Sequence, residues 1–126
     1  MTRIKQIYKC NICQNITEVI RAGKGTLVCC GKPMELLKEK NQEKGWEKHL
    51  PVIEKKENKI KIKIGQNPHP MEDKHFIEWV EIITDKNIYR RFLNPQDEPK
   101  TELNIEGDII KVRSYCNLHG LWSNNQ

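Results

Sequence analysis

Hydrophobic and polar residues alternate along much of this chain with the period of a β-strand. Residues 59–64, KIKIKI, alternate lysine and isoleucine at every position, as a strand does when one face is buried and the other is wet. Further strand candidates, separated by Pro, Gly, Asn and Asp, are 50–56, 76–84, 88–93, 101–106 and 109–115. Six or seven short strands at this spacing predict an antiparallel β-sandwich, and no stretch has a convincing helical period.

The first 37 residues have a different character. Short β-type runs at 3–9, 26–29 and 34–37 flank turn-forming glycines, and four of the five cysteines lie here. A module this short buries too little apolar surface to fold by itself, and a bound metal can supply the missing stability. The polar stretch that follows, KEKNQEKGWEK, is typical of a linker or a solvated loop. The sequence therefore predicts an all-β chain with a small metal module at 1–37 and a β-sandwich domain at 38–126.

Charge and hydropathy narrow the classes of partner. The 126 residues carry a formal net charge of +5, which favours an anionic partner such as nucleic acid, an acidic protein or a small anionic substrate. The lysines are dispersed and have no aromatic ladder beside them, so we expect no nucleic-acid partner. No apolar run reaches the length of a membrane span, and the start, MTRIKQIYKC, lacks a secretion signal. We therefore expect a cytoplasmic protein that does not bind membranes.

The N-terminal cysteines form one candidate metal site. In Cys10-x-x-Cys13, two intervening residues let both sulfurs converge on one ion, and the pair Cys29-Cys30 follows sixteen positions later. An odd number of cysteines, with two of them adjacent, disfavours a disulfide framework, and four thiolates satisfy a tetrahedral site for iron or zinc. A redox-active dithiol is the alternative for the CxxC, but no βαβ pattern accompanies it. Because adjacent cysteines tend to point apart, we expect a distorted site and not an ordinary zinc ribbon.

A second candidate site begins with Cys116 and His119, three positions apart in SYCNLHGLW. Cys116 has the strand parity of Ile110 and Val112, so it should point inward at the end of its strand, and Gly120 lets the next turn bring His119 round. If the first four cysteines saturate one ion, this cysteine and histidine need partners from elsewhere.

The remaining histidines, His49, His69 and His75, all lie in or beside predicted loops, and His69 is held between two prolines. One isolated histidine is more often a surface residue or a satisfied core residue than a ligand. Three of them beside a Cys-x-x-His in one small domain favour a shared site. Four imidazoles and one thiolate would make a five-coordinate centre with an open sixth position, which iron accepts more readily than zinc.

These motifs, in this order, closely resemble desulfoferrodoxin, the two-iron form of superoxide reductase. The resemblance is carried by CxxC at 10–13, CC at 29–30, EKHxPV at 47–52, HPM at 69–71, His75 and CNLHGLW at 116–122. It implies two iron ions per chain. One would be held in a desulforedoxin-like module by Cys10, Cys13, Cys29 and Cys30. The other would be the catalytic iron of an immunoglobulin-like sandwich, with His49, His69, His75 and His119 in a plane, His119 binding through its other ring nitrogen, and Cys116 axial.

The resemblance also implies an activity and partners. Superoxide would be reduced by one electron to hydrogen peroxide, with electrons from rubredoxin or a similar donor, in a homodimer. Lys48 is the candidate for the charge that steers the superoxide anion, and Glu47 is the candidate sixth ligand of ferric iron. Without the resemblance, both would be interpreted as an ordinary solvated charge pair.

Two other classes of function remain as alternatives. A non-catalytic two-iron electron-transfer protein would have a saturated second site that does not respond to added anions. A zinc-ribbon nucleic-acid binder would account for the basic charge and the CxxC but would leave four histidines and Cys116 unexplained.

Overall fold

The computed structural model describes residues 1–125, and the chain folds as two compact units, Met1–Lys38 and the remainder from Glu39. The first unit holds two small antiparallel sheets, with strand orders β2-β1-β5 and β3-β4. Its strands are β1 (Ile7–Lys9), β2 (Ile16–Glu18), β3 (Val28–Cys29), β4 (Lys32–Pro33) and β5 (Glu35–Leu36). Among its apolar side chains only Ile7, Cys10 and Val19 are buried, so this unit has a very small core.

The second unit contains a three-stranded and a four-stranded antiparallel sheet. Its elements are α1 (Trp46–His49), β6 (Pro51–Lys56), β7 (Lys59–Ile64), β8 (Ile77–Thr84), β9 (Ile88–Phe92), β10 (Lys100–Asn104), β11 (Ile109–Cys116) and β12 (Gly120–Asn125). The sheet orders are β10-β7-β6 and β12-β11-β8-β9, which confirms the predicted all-β fold. None of the described residues forms a helix long and apolar enough to cross a bilayer.

The core of the second unit collects the apolar faces of both sheets. The isoleucines of the KIKIKI strand are all buried, whereas its lysines are exposed, as the strict alternation predicts. These three isoleucines form one cluster with side chains of β8 and β11. Cys116, at the end of β11, belongs to that cluster. The sulfur of Cys116 therefore lies where the apolar core meets the loops at one end of the sheets.

The pairing of β8 with β11 is reinforced by a buried ion pair on the other face of the sheet. Glu81 and Arg113 are cross-strand partners, and the Arg113 guanidinium donates to Glu81 Oε2 through Nη2 at 2.8 Å and Nε at 3.0 Å. Arg90 on β9 donates to the other carboxylate oxygen at 2.8 Å. A buried carboxylate bonded on both oxygens fixes the strand register, because a slip would leave charges unpaired.

Candidate metal centres

The four cysteines of the first unit lie close together. Cys13 Sγ is 3.5 Å from Cys29 Sγ, and the Cys29 and Cys30 sulfurs are 4.0 Å apart. All four Sγ atoms lie within 4.8 Å of one another. Four thiolates, each about 2.3 Å from one ion in a tetrahedron, would stand roughly 3.8 Å apart. These residues therefore fit a tetrahedral metal site.

A tight turn lets two adjacent cysteines serve this one site. Cys29 pairs with Lys32, and the two residues between them, Cys30 and Gly31, have φ of +52° and +76°. Positive φ at both central residues is the pattern of a type I′ hairpin turn. In an extended strand, neighbouring side chains point to opposite faces, but Cys30 has left the strand for the turn. This explains why the expected divergence of adjacent cysteines does not separate these sulfurs.

The environment of Cys10 favours its thiolate. The backbone N–H groups of Cys13 and Ile12 donate to Cys10 Sγ at 3.4 Å, and they lower the pKa of Cys10 to about 6. Hydrogen bonding with the neighbouring sulfurs, Cys13 first, raises the pKa of Cys29 and raises that of Cys30 to about 12. Four sulfurs this close cannot all ionise without a cation, so metal binding would release protons from the cluster.

The second unit brings four imidazoles into a closed ring. Neighbouring ring centroids are 4.6 Å apart for His49 and His69, 4.8 Å for His69 and His75, 5.0 Å for His75 and His119, and 4.8 Å for His119 and His49. Every neighbouring pair meets edge to face, at 70° to 81°. One ligand atom from each ring and the Cys116 sulfur all lie within 4.8 Å of one another. Four rings in cyclic order suit the corners of a square around one ion.

Two of these rings are turned inward by their own backbone contacts. His49 Nδ1 lies 2.8 Å from the Gly45 carbonyl, and His69 Nδ1 lies 2.6 Å from the Pro70 carbonyl. A ring that donates Nδ1–H to a carbonyl presents the lone pair of Nε2 to a metal. Within the described chain, Nε2 of His69 and Nε2 of His75 are buried without a hydrogen-bond partner. A buried nitrogen without a hydrogen-bond partner destabilises the fold, and a cation bound between these two nitrogens would give each of them a partner.

His119 faces the group through a different atom. Its Nδ1 lies 3.1 Å from His49 Nε2 and 3.7 Å from Cys116 Sγ. Two nitrogens, each about 2.1 Å from one ion and at right angles, would be about 3.0 Å apart. The donor set is thus consistent with a square of imidazole nitrogens joined by one thiolate.

Desolvation favours the neutral, metal-binding form of three of the histidines. Desolvation lowers the pKa of His49 and His119 and lowers that of His69 to about 4. Desolvation also raises the pKa of Cys116, whose side chain is fully buried. Near neutral pH these three imidazoles are therefore neutral donors. His119 is exposed, so the group is dry at the Cys116 side and reaches solvent at His119.

The short helix α1 carries the two residues expected to assist the site. Glu47 and Lys48 directly precede His49 on this single turn, with Glu47 half-buried and Lys48 exposed. The Glu47 carboxylate lies outside the set of ligand atoms that are within 4.8 Å of one another. The structure therefore brings the nine predicted ligands into two groups, and neither group includes Glu47 or Lys48.

Sequence reasoning missed the residues that hold these segments together. Gly65 has φ of +88°, and a Cβ there would lie 2.2 Å from the Asn67 carbonyl oxygen and 2.5 Å from that of Lys48. The loop bearing His69 can therefore close against α1 only without a side chain at this position. A glycine immediately after a strand and before the NPHP turn was the available signal.

Asn117 binds the loop that carries His75 from both sides of that residue. Its Nδ2 donates to the Lys74 carbonyl at 2.9 Å, and its Oδ1 accepts from the Phe76 N–H at 3.0 Å. Its own N–H donates to the Phe76 carbonyl at 3.3 Å. The residue next to Cys116 thus fixes the backbone that presents His75.

Comparison with known proteins identifies relatives of both units. The family model described as Desulfoferrodoxin matches residues 40–125, and the one described as Desulfoferrodoxin, N-terminal domain, matches residues 2–37. A desulfoferrodoxin homolog of Archaeoglobus fulgidus is 52% identical, covering 97% of this chain and 98% of that one. A superoxide reductase of Pyrococcus horikoshii is 31% identical, covering 71% and 96%. The crystal structure of the superoxide reductase from Treponema pallidum superimposes with a TM-score of 0.79 at 25% identity, covering 99% and 100%.

Proposed function

The chain belongs to the desulfoferrodoxin family, and from this premise we propose that it is a superoxide reductase with two iron sites. The observation that carries the proposal is the square of four histidine rings joined by the buried thiol of Cys116. Relatives and structural neighbours of the chain are superoxide reductases. The reaction consumes one superoxide, one electron and two protons, and it yields one hydrogen peroxide without oxygen.

We assign an iron to each group of ligands. Cys10, Cys13, Cys29 and Cys30 would hold the first in a domain spanning 1–37. The four histidines and Cys116 would hold the second in the domain spanning 38–126, where iron supplies one-electron chemistry toward superoxide. Iron suits this donor set because one sulfur and four imidazoles exceed the four ligands of a structural zinc site.

The residues around the second site would select and guide an anion. Four neutral imidazoles add no negative charge to the cation they hold, so the site stays attractive to superoxide. The exposed Lys48, next to His49, adds a positive charge at the approach and can hold the water that delivers a proton to the product. Burial of Cys116 keeps water from its sulfur. Once a metal ion replaced the thiol proton, the electron density of the sulfur would be available to the ion and not to hydrogen bonds with water.

Glu47 is the proposed carboxylate ligand of the oxidised state. It lies two residues before His49 on α1 and is half-buried. Because its carboxylate lies outside the five-ligand set, it would have to move toward that set to bind. We propose rubredoxin or a similar protein as the electron donor, a homodimer as the assembly and the cytoplasm as the location, where thiols stay reduced.

The stoichiometry of the products tests this function. The iron-loaded, reduced protein should yield one hydrogen peroxide per superoxide consumed and no oxygen, whereas dismutation yields half as much peroxide together with oxygen. Metal analysis should find two irons per chain. His69→Ala should lose the superoxide reaction and keep the spectrum of the four-cysteine centre. Zinc at both sites, or a reduced protein that ignores superoxide, would refute the proposal, and the second result would favour a pure electron carrier.

A further inference from the structure

Lys40 lies beside the proposed catalytic site, although 79 positions separate it from His119 along the chain. Its Nζ donates to the carbonyl oxygen of His119 at 2.9 Å. The same carbonyl accepts from Trp122 Nε1 at 3.2 Å. The carbonyl of a ligand residue is thus held by two side-chain donors, one of them charged.

The backbone of Lys40 is fixed as firmly as its side chain. Lys40 forms a one-residue parallel bridge with Trp122 on β12. Its N–H donates to the Leu121 carbonyl at 2.9 Å, and its carbonyl accepts from the Ser123 N–H at 2.9 Å. Holding a long, flexible side chain in one position costs entropy, but the backbone from which this side chain extends is already fixed by its pairing with β12. The paired backbone and the hydrogen bond to the His119 carbonyl together hold the ammonium beside this turn.

Trp122 connects this charge to a second ligand. The Lys40 ammonium lies 5.7 Å from the centroid of the Trp122 ring, within reach of a cation–π interaction. The buried Trp122 ring stacks on His49 at 4.7 Å with an interplanar angle of 14°. Lys40 thus supports the turn that carries His119 directly, and it contacts the ring against which His49 packs.

We propose that Lys40 is a positioning residue for the second metal site, which holds His119 through its carbonyl and places a fixed positive charge beside the metal. This inference rests on the proposed iron site. A nearby positive charge destabilises ferric iron more than ferrous iron, because the ferric ion carries the larger charge. Lys40 therefore raises the reduction potential of the site and keeps the iron in the form that can donate an electron.

The test compares three variants of the full-length, iron-loaded protein. Lys40→Met removes the charge and the donor but keeps the stem over Trp122 and the backbone bridge. Lys40→Arg keeps a charged donor. Lys61→Met is the control, because Lys61 lies on the exposed face of β7, in the other sheet. An unchanged far-ultraviolet circular dichroism spectrum and an unchanged urea midpoint of the sandwich confirm that each variant is folded.

The readouts are the potential of the second iron, followed by its visible absorption during a redox titration, and the rate of iron release to a ferrous chelator. Lys40→Met should lower the potential and speed release by about tenfold, the lower end of the range for groups that orient metal ligands. Lys40→Arg should stay near the parent potential, and Lys61→Met should match the parent in both measurements. Equal potentials and release rates for Lys40→Met and Lys61→Met would overturn the proposal.

Neither measurement uses superoxide. A parent protein that binds iron but fails to reduce superoxide would refute the proposed function and leave the role of Lys40 to be decided by these two readouts.

Discussion

Replacement of Gly65 by alanine should damage the second metal site without touching any ligand. The added Cβ would stand 2.2 Å from the Asn67 carbonyl oxygen, whereas real Cβ contacts stay beyond 3.0 Å. The backbone must therefore move by at least about 0.8 Å, the difference between these distances. The clashing atoms belong to the loop before His69 and to Lys48, which precedes His49. Two ligands would be displaced together.

The expected loss in the free energy of unfolding is the sum of two costs. A left-handed backbone, with φ of +88° at Gly65, costs a residue with a side chain about 1–2 kcal/mol, and overpacking costs about 1–3 kcal/mol. The free energy of unfolding should therefore fall by about 2–5 kcal/mol. A ligand misplacement approaching 1 Å should lower the second-order rate constant for superoxide by up to about a hundredfold.

Gly107→Ala is the matched control. Gly107 has nearly the same φ, +87°, but its closest neighbour is Asp85 Oδ1, at the end of a side chain that can rotate away. Its free energy of unfolding should fall only by the cost of the left-handed backbone, about 1–2 kcal/mol. Urea unfolding and stopped-flow reaction of the iron-loaded proteins with superoxide would measure both effects. Equal stabilities and equal superoxide rates for the two variants would show that the close approach at Gly65 does not position the ligands.

Four further outcomes are expected. Lys48→Ile should slow the second-order reaction with superoxide and flatten its ionic-strength dependence; an unchanged salt dependence would contradict the steering role. Asn117→Ala, which removes the two side-chain bonds flanking His75, should speed iron release by about tenfold. Asn124→Ala is the control for this prediction, because it loses one bond to the Pro51 carbonyl and should not change the rate of iron release. Cys13→Ser should leave the direct superoxide reaction intact; slower turnover with rubredoxin as donor would identify the first iron as a relay. Chelation of both metals should unfold residues 1–38 and leave the sandwich folded, as amide hydrogen exchange can show.

The strands of the sandwich are predictable because their residues alternate. The pattern predicts strands at 59–64 and 109–115, and the structure has them at Lys59–Ile64 and Ile109–Cys116. Strand β12 escapes prediction because its sequence, GLWSNN, lacks β-branched residues and ends in turn-formers, and it is held in the sheet by its pairing with β11. Helix α1 escapes prediction because a single turn has no period to detect.

The alternation along β11 correctly predicts that Cys116 points inward, but it is wrong for Ile110. Parity predicts that Ile110 points inward with Val112, yet 44% of Ile110 is exposed while Val112 is buried. The register between β11 and β8 shifts between Ile109 and Lys111, so Ile110 lies at an irregularity of the kind that interrupts alternation. Sequence periodicity cannot locate such an irregularity, because it depends on the facing strand.

The two metal sites depend on different parts of the structure, and this determines what each metal must do for folding. The four-cysteine group is assembled within twenty-one residues of one unit whose only buried apolar side chains are Ile7, Cys10 and Val19. One of those three is itself a ligand, so the metal replaces a core that the chain is too short to build. The histidine group is assembled from three segments that the sandwich brings to one place, and the sandwich has its own cluster of buried isoleucines and valines. Here the fold positions the ligands before any metal binds, so the metal does not have to stabilise the unit in which it lies.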